Sequence, residues 1–168
     1  VAPEPIDVDG MQFVRVNNLD DAGLQTAEDG SKLLFVRDEM SAMWSFLDSS
    51  KSLTAVLHGP PGTGKSSGTW AWACKKAKAD KTILWANMRV NKLTTVVLLT
   101  GGEIQTIGNI TSSELVKLIK SLRASTIILD GVVLNQQQSS IKEAADAWVS
   151  RESHRRVVQV TSEGVVLK

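Results

Sequence analysis

One cysteine, Cys74, stands in 168 residues, so no disulfide can close within the chain and no Cys-x-x-Cys metal or redox pair exists. Alone, Cys74 reads as a small buried hydrophobe. No apolar run approaches the ~18 residues that a membrane-crossing helix needs. A secretory leader is also missing. The opening Val1-Ala2-Pro3-Glu4-Pro5 has neither an initiator methionine nor an apolar segment, and the chain reads as a piece of a longer polypeptide. Nor is there an excess of one charge sign. The formal net charge of +1 carries no whole-chain signature of nucleic-acid or membrane binding. Basic residues cluster only locally, at Lys75, Lys76, Lys78 and Lys81 and again at Arg151, Arg155 and Arg156. Each cluster reads as a solvated face. His58 and His154 have no neighbours that suggest a metal or triad site and read as structural.

What is present is one domain's worth of chain, 42% hydrophobic, enough for a sizeable core. Residues 1–31, punctuated by Pro3, Pro5, Gly10, Gly23 and Gly30, read as a loop-like extension with a short strand over Met11 to Val16. The domain proper is expected over 32–168. Lys32 to Val36 reads as a strand. A helix capped by Asp38 follows, with Met40, Met43, Trp44 and Leu47 on one face. Leu53 to Leu57 is a buried strand, and Ser66 to Ala79 a helix with Trp70, Ala73, Cys74 and Ala77 inward and Trp72 half-buried on the other face. Thr82 to Ala86 is a strand. Leu93 to Leu99 and Glu103 to Ile107 form a hairpin about Gly101-Gly102. Ser112 or Ser113 opens a helix to Leu122. Thr126 to Leu129, a helix over Ser139 to Ser150, and a strand over Arg156 to Val160 complete the chain. Gln136-Gln137-Gln138 reads as loop. Strands alternating with helices predict a parallel sheet covered on both faces, with the hairpin as an antiparallel addition.

Between the strand ending at Leu57 and the next helix stands Gly59-Pro60-Pro61-Gly62-Thr63-Gly64-Lys65-Ser66, matching G-x-x-x-x-G-K-S in full. The pattern has a mechanism. Gly59, Gly62 and Gly64 permit positive φ and a close backbone approach to phosphate. N–H groups of Thr63, Gly64, Lys65 and Ser66 then meet the β-phosphate at a helix N-terminus, and Ser67 extends the phosphate-contacting set. Lys65 spans the β- and γ-phosphates, and the Ser66 hydroxyl offers Mg²⁺ an oxygen. Ile127-Ile128-Leu129-Asp130 fits the Walker B strand, with Asp130 as the magnesium carboxylate. The expected fold is an α/β, three-layer P-loop NTPase with a mostly parallel sheet and an inserted β-hairpin. The expected cofactors are ATP and Mg²⁺.

The next residue, Gly131, stands where many ATPases carry a water-activating glutamate, and none follows within several positions. Hydrolysis by the isolated chain is therefore expected to be slow. If the last strand lies between the other two, its polar end faces the γ-phosphate. Thr161 or Ser162 would then orient water, and Glu163 is a candidate displaced base. Asn91-Lys92-Leu93-Thr94 superficially matches the guanine-reading N-K-x-D. It lacks the acid and precedes the Asp130 strand, so ATP is favoured over GTP.

Leu34-Phe35-Val36-Arg37, Met40 to Leu47, His58 to Ser66, Trp70-Ala71-Trp72-Ala73, Thr82-Ile83-Leu84-Trp85 and Leu129-Asp130-Gly131 together resemble the NTPase domain of Crinkler effectors over roughly residues 32 to 162. The Asp-Gly ending is also similar to STAND-class switch ATPases. Crinklers are modular proteins of oomycetes and some fungi, delivered into host cells and directed to the nucleus. Many join this kind of domain to a restriction-endonuclease-like one. The resemblance implies secretion, a host-nuclear address, and DNA as a partner through the longer parent, with an oligomer or a further C-terminal domain completing the module. This chain shows no Leu-Phe-Leu-Ala-Lys-type segment and no E-x-K nuclease signature. Glu114 and Lys117 read as a surface pair, so the chain is expected not to cut DNA. Three functions compete: an ATPase that drives or regulates an effector domain, a nucleotide-dependent switch with little hydrolysis, and a phosphotransferase with Arg151, Arg155 and Arg156 as lid arginines.

Overall fold

The computed structural model describes residues 3–8, 10–24, 30–77, 81–89, 92–133 and 136–161. In chain order the elements are β1 (Glu4–Val8), β2 (Met11–Val16), β3 (Lys32–Phe35), α1 (Asp38–Ser49), β4 (Thr54–His58), α2 (Lys65–Ala77), β5 (Ile83–Asn87), β6 (Thr94–Thr100), β7 (Glu103–Ile110), α3 (Ser112–Ser121), β8 (Thr126–Asp130), α4 (Gln136–Val149) and β9 (Arg156–Thr161). A six-stranded sheet runs in the order β4-β9-β8-β5-β6-β7, and β1-β2-β3 form a small antiparallel sheet. The first four strands of the large sheet are parallel, while the β6–β7 hairpin joins β5 antiparallel. The architecture is thus α/β on a mixed, mostly parallel sheet.

β5 and β8 are buried along their length and mostly apolar, because both faces of the sheet are covered. Alternate residues point to opposite faces. Ile83, Trp85, Ile128, Val158 and Val160 pack in one apolar cluster with α1 and α2; Leu84, Ala86, Ile127, Leu129 and Val157 pack in another with α3 and α4. Parallel pairing brings the C-terminal ends of β4, β9, β8 and β5 to one side. His58 lies beside Thr161, Asp130 beside Val160, and Asn87 beside Asp130. That side of an open parallel sheet is where ligands bind.

Several local expectations need correction. Arg37, not Asp38, occupies the N-cap of α1 and makes no side-chain cap bond; Asp38 sits in the first turn, where a carboxylate suits the helix dipole. Thr111 caps α3 in a reciprocal capping box with Glu114. Its amide donates to the Glu114 carboxylate at 2.8 Å, so Glu114 serves the helix end. Gln136 to Gln138 open α4 instead of forming a loop. The Gln138 side-chain carbonyl accepts from the Val133 amide at 2.7 Å, which ties the helix start to the preceding turn. Trp72 is 5% exposed, because α1 covers that side of α2 and Asp48 accepts its indole N–H at 2.7 Å.

The segment before Lys32 is built into the fold. β1 pairs with β2, and β2 pairs with β3 across the expected boundary. Leu19 and Ala22 are fully buried in the α1–α2 cluster. The carbonyls of Asn17 and Ala22 accept the indole N–H groups of Trp70 and Trp85 at 3.1 and 2.9 Å.

Candidate functional site

The glycine loop joins β4 to α2, and its backbone explains its composition. Gly62 and Gly64 have φ of 77° and 83°, in the left-handed region that favours glycine. Gly59 also has a positive φ, 157°, which side chains rarely adopt. Space is not what selects glycine there, because a Cβ would lie 3.8 Å from the Lys65 stem, an ordinary van der Waals contact. The Gly64 carbonyl accepts from the Gly68 amide at 2.8 Å. That bond starts the helix and leaves the first-turn N–H groups of Lys65, Ser66 and Ser67 without intrahelical partners. Arg37 braces the loop from the start of α1, its guanidinium donating to the Thr63 carbonyl at 2.6 Å.

Lys65 folds back over this loop. Its ammonium donates to the carbonyls of Gly59 and Pro60 at 2.8 and 2.6 Å and to the Thr63 hydroxyl at 3.2 Å. Burial pulls its pKa down, and the charge of Asp130 opposes that pull.

Across from the loop, Asp130 ends β8 with 3% exposure and both oxygens engaged. Ser66 donates its hydroxyl to one at 2.7 Å, and Asn87 its amide to the other at 2.7 Å. The Asn87 carbonyl oxygen accepts from Arg89 Nε at 3.2 Å, and a terminal nitrogen of Arg89 donates to the Gly23 carbonyl. A continuous polar chain therefore runs from the first turn of α2 through Asp130 to the N-terminal segment. Burial raises the Asp130 pKa above its ordinary 3.8. The hydrogen bonds from Ser66, Asn87 and Gly131 and the charge of Lys65 oppose that rise.

These groups line a cavity of about 480 Å³, within the size range of small-molecule sites. Gly62, Thr63, Gly64, Lys65, Ser66, Ser67, Asp130 and Thr161 all border it. Thr161 is buried at the end of β9, and β9 lies between β4 and β8, as its expected role requires. Ser162, Glu163 and Asn91 lie outside the described residues. Arg151, Arg155 and Arg156 do not border this cavity. Arg156 starts β9 and Thr161 ends it, so the length of that strand, ~17 Å, separates the two. A role as lid arginines over their own chain's loop is thereby corrected.

Sequence reasoning missed Asn87 and Arg89. Their signal was present. Asn87 ends an otherwise apolar strand, Ile83-Leu84-Trp85-Ala86-Asn87, just as Asp130 ends Ile127-Ile128-Leu129-Asp130. In a parallel pair with matched ends, the two polar residues are neighbours.

The raised pKa of Asp130 has a stability consequence. The protonated form is favoured by the fold, so this contribution is full below the unfolded pKa and is lost as pH rises through the higher folded one. Above that folded pKa the buried charge is a net cost to the protein. Asp130→Asn keeps a group able to accept from Asn87 and donate to Ser66. Its ligand-free midpoint should rise, by ~2–4 °C for each kcal/mol recovered, while any magnesium dependence of ligand binding disappears. Thermal melts with and without Mg²⁺ and nucleotide measure both; a variant that melts lower yet keeps its magnesium response contradicts this account.

No protein-family model matches this sequence, and a comparison with curated proteins also finds no match.

Proposed function

We propose that the chain is a magnesium-dependent, ATP-binding P-loop NTPase module. The observation that carries this reading is the 2.7 Å bond between the Ser66 hydroxyl and the Asp130 carboxylate, beside the Lys65 ammonium and the open first turn of α2. The donor set fits the ligand. Ser66 and Asp130 present oxygen to a hard divalent cation. The N–H groups of Lys65, Ser66 and Ser67, the helix dipole and three cations bordering one cavity, Lys32, Lys65 and Arg89, suit a polyphosphate. Ser66 and Asp130 would hold the metal, which when bound withdraws charge from the phosphates. Lys65 would exchange the loop carbonyls for phosphate oxygens. Thr161 would orient water at the γ-phosphate.

A second reading, a nucleotide-dependent switch with little hydrolysis, is favoured by a separate observation. Among the described residues lining the cavity, Asp130 is the only carboxylate, and it is committed to the metal. Gly131 has φ of 80°, and a Cβ there would lie 2.3 Å from the Met88 carbonyl oxygen. A glutamate directly after Asp130 has no place to stand. Turnover by this chain should therefore fall below the ~1 s⁻¹ at the low end of ordinary enzymes. If a partner copy or a further domain completes the site, the rate should climb steeply with protein concentration, since one added arginine contributes ~10³-fold or more. The test is binding and hydrolysis of ATP and GTP with and without Mg²⁺ and DNA, over a range of enzyme concentrations, wild type beside Glu163→Gln. Absence of ATP binding overturns the proposal. Fast, concentration-independent turnover that ignores Glu163→Gln overturns the switch. The resemblance to Crinkler NTPase domains extends the proposal to a secreted effector that acts in a host nucleus, where the module regulates a separate effector or nuclease domain.

A further inference from the structure

The two basic clusters of the sequence, some seventy residues apart, meet in space. A cleft of about 410 Å³ lies at the N-terminal ends of the parallel strands, the end of the sheet opposite the glycine loop. Lys51 reaches it from the α1–β4 connection, Lys76 and Lys81 from the end of α2 and the approach to β5, and Arg155 and Arg156 from the start of β9. The fold neutralises only part of this charge. Asp48 pairs with Lys76 at 2.8 Å, and Glu152 with Arg155 at 2.5 Å. Arg156 donates to the Leu47 carbonyl, but its Nε and one terminal nitrogen are buried without a hydrogen-bond partner. Unsatisfied buried donors are uncommon, and the Asp48 carboxylate, already paired with Lys76, acts on Arg156 through its charge alone. Those nitrogens are covered, so they act on a ligand through their field. Lys51 and Lys81 are exposed and provide the direct contacts.

We infer that this cleft binds the phosphate backbone of a nucleic acid, at a site separate from the glycine loop. Its chemistry favours that partner over the other polyanions. The cations come from three separate connections and surround a concavity, so they match repeated single charges along a strand better than one phosphoryl dianion. A flat lipid surface reaches a convex patch more readily than a recess. Backbone contacts carry no base information, so binding is independent of sequence and steeply dependent on salt.

The experiment is fluorescence anisotropy of a labelled single-stranded oligonucleotide titrated with the intact chain from 50 to 200 mM salt, beside sedimentation with phosphatidylserine vesicles. Lys51→Glu/Lys81→Glu should weaken oligonucleotide binding at least tenfold at 50 mM salt and flatten the salt slope by about two, one for each lost phosphate contact. Lys51→Gln/Lys81→Gln should show the same direction with a smaller loss, which guards against a folding artefact in the charge-reversed pair. Lys65→Ala should bind the oligonucleotide as wild type does, so failure of the nucleotide-site reading and of this one are read separately. The inference is overturned if the oligonucleotide does not bind at 50 mM salt. It is equally overturned if Lys65→Ala abolishes binding while both double variants leave it intact, or if only the vesicles bind.

Discussion

Lys65→Ala should weaken Mg·ATP binding at least tenfold, and a loss of ~10²-fold or more follows from the contacts at stake. The ammonium is satisfied by two carbonyls and a hydroxyl of its own loop. Phosphate oxygens would replace those neutral acceptors with charged ones, and a hydrogen bond to a charged group contributes ~1.5–3 kcal/mol net. Two such bonds convert to roughly two to four decades in affinity. Arg89 and Lys32 border the same cavity, but Arg89 is tied to Asn87 and Gly23 and Lys32 stands on β3, outside the loop, so neither takes the place of Lys65. Water can solvate the freed loop carbonyls, and thermal stability should barely change. Titration calorimetry decides the matter: unchanged affinity in a folded Lys65→Ala protein removes the central claim.

Gly131→Ala should be among the most destabilising single changes available in this chain. Left-handed backbone alone costs a residue with a Cβ ~1–2 kcal/mol. Here the Cβ would also lie 2.3 Å from the Met88 carbonyl oxygen. That carbonyl cannot swing aside cheaply, because the Met88 amide donates to Asp130 at 2.7 Å and the next ladder position is the Asn87–Asp130 pair. The expected total is ~3 kcal/mol or more, or a midpoint lower by ~6–12 °C. Gly131→Glu should suffer the same loss and gain no turnover, although it places a carboxylate where many ATPases carry one. A Gly131→Glu protein that melts like wild type and hydrolyses ATP faster would show that the β8–α4 turn is not held as described.

The parallel core and the site on its C-terminal side were legible in the sequence because both rest on local patterns. Apolar runs such as Ile127-Ile128-Leu129 mark strands buried on two faces. The glycine loop marks a strand-to-helix turn. Pairing across the sheet was harder to read. Asn87 joins Asp130 only because β5 and β8 align in register, and a single sequence does not display register. Trp72 was misjudged for a related reason: the helix period put it opposite the sheet, while the cover comes from α1, packed on α2 through the Asp48 bond. The two basic clusters looked like separate solvated faces because nothing in sequence spacing says that the α2–β5 connection and the start of β9 share one end of a sheet. Thr111 was passed over as a cap in favour of the serines after it, although Thr-x-x-Glu is itself a capping-box pattern.

The carbonyls of Asn17 and Ala22 have a practical consequence for anyone cutting a minimal fragment from this polypeptide. The sequence invites a start at Lys32, just before the strand that leads to α1. A fragment begun there loses the acceptors for the Trp70 and Trp85 indole N–H groups, along with the fully buried Leu19 and Ala22. Each orphaned buried donor costs ~1–3 kcal/mol, and two of them, together with an unfilled void beside Trp85, take much of a typical domain's ~5–15 kcal/mol. Such a fragment would carry every residue of the glycine loop and still be expressed as inclusion bodies, an outcome easily mistaken for an inactive site. The shortest piece that is self-sufficient begins upstream of Asn17, and the strands on either side of that residue belong to the unit that positions Asp130.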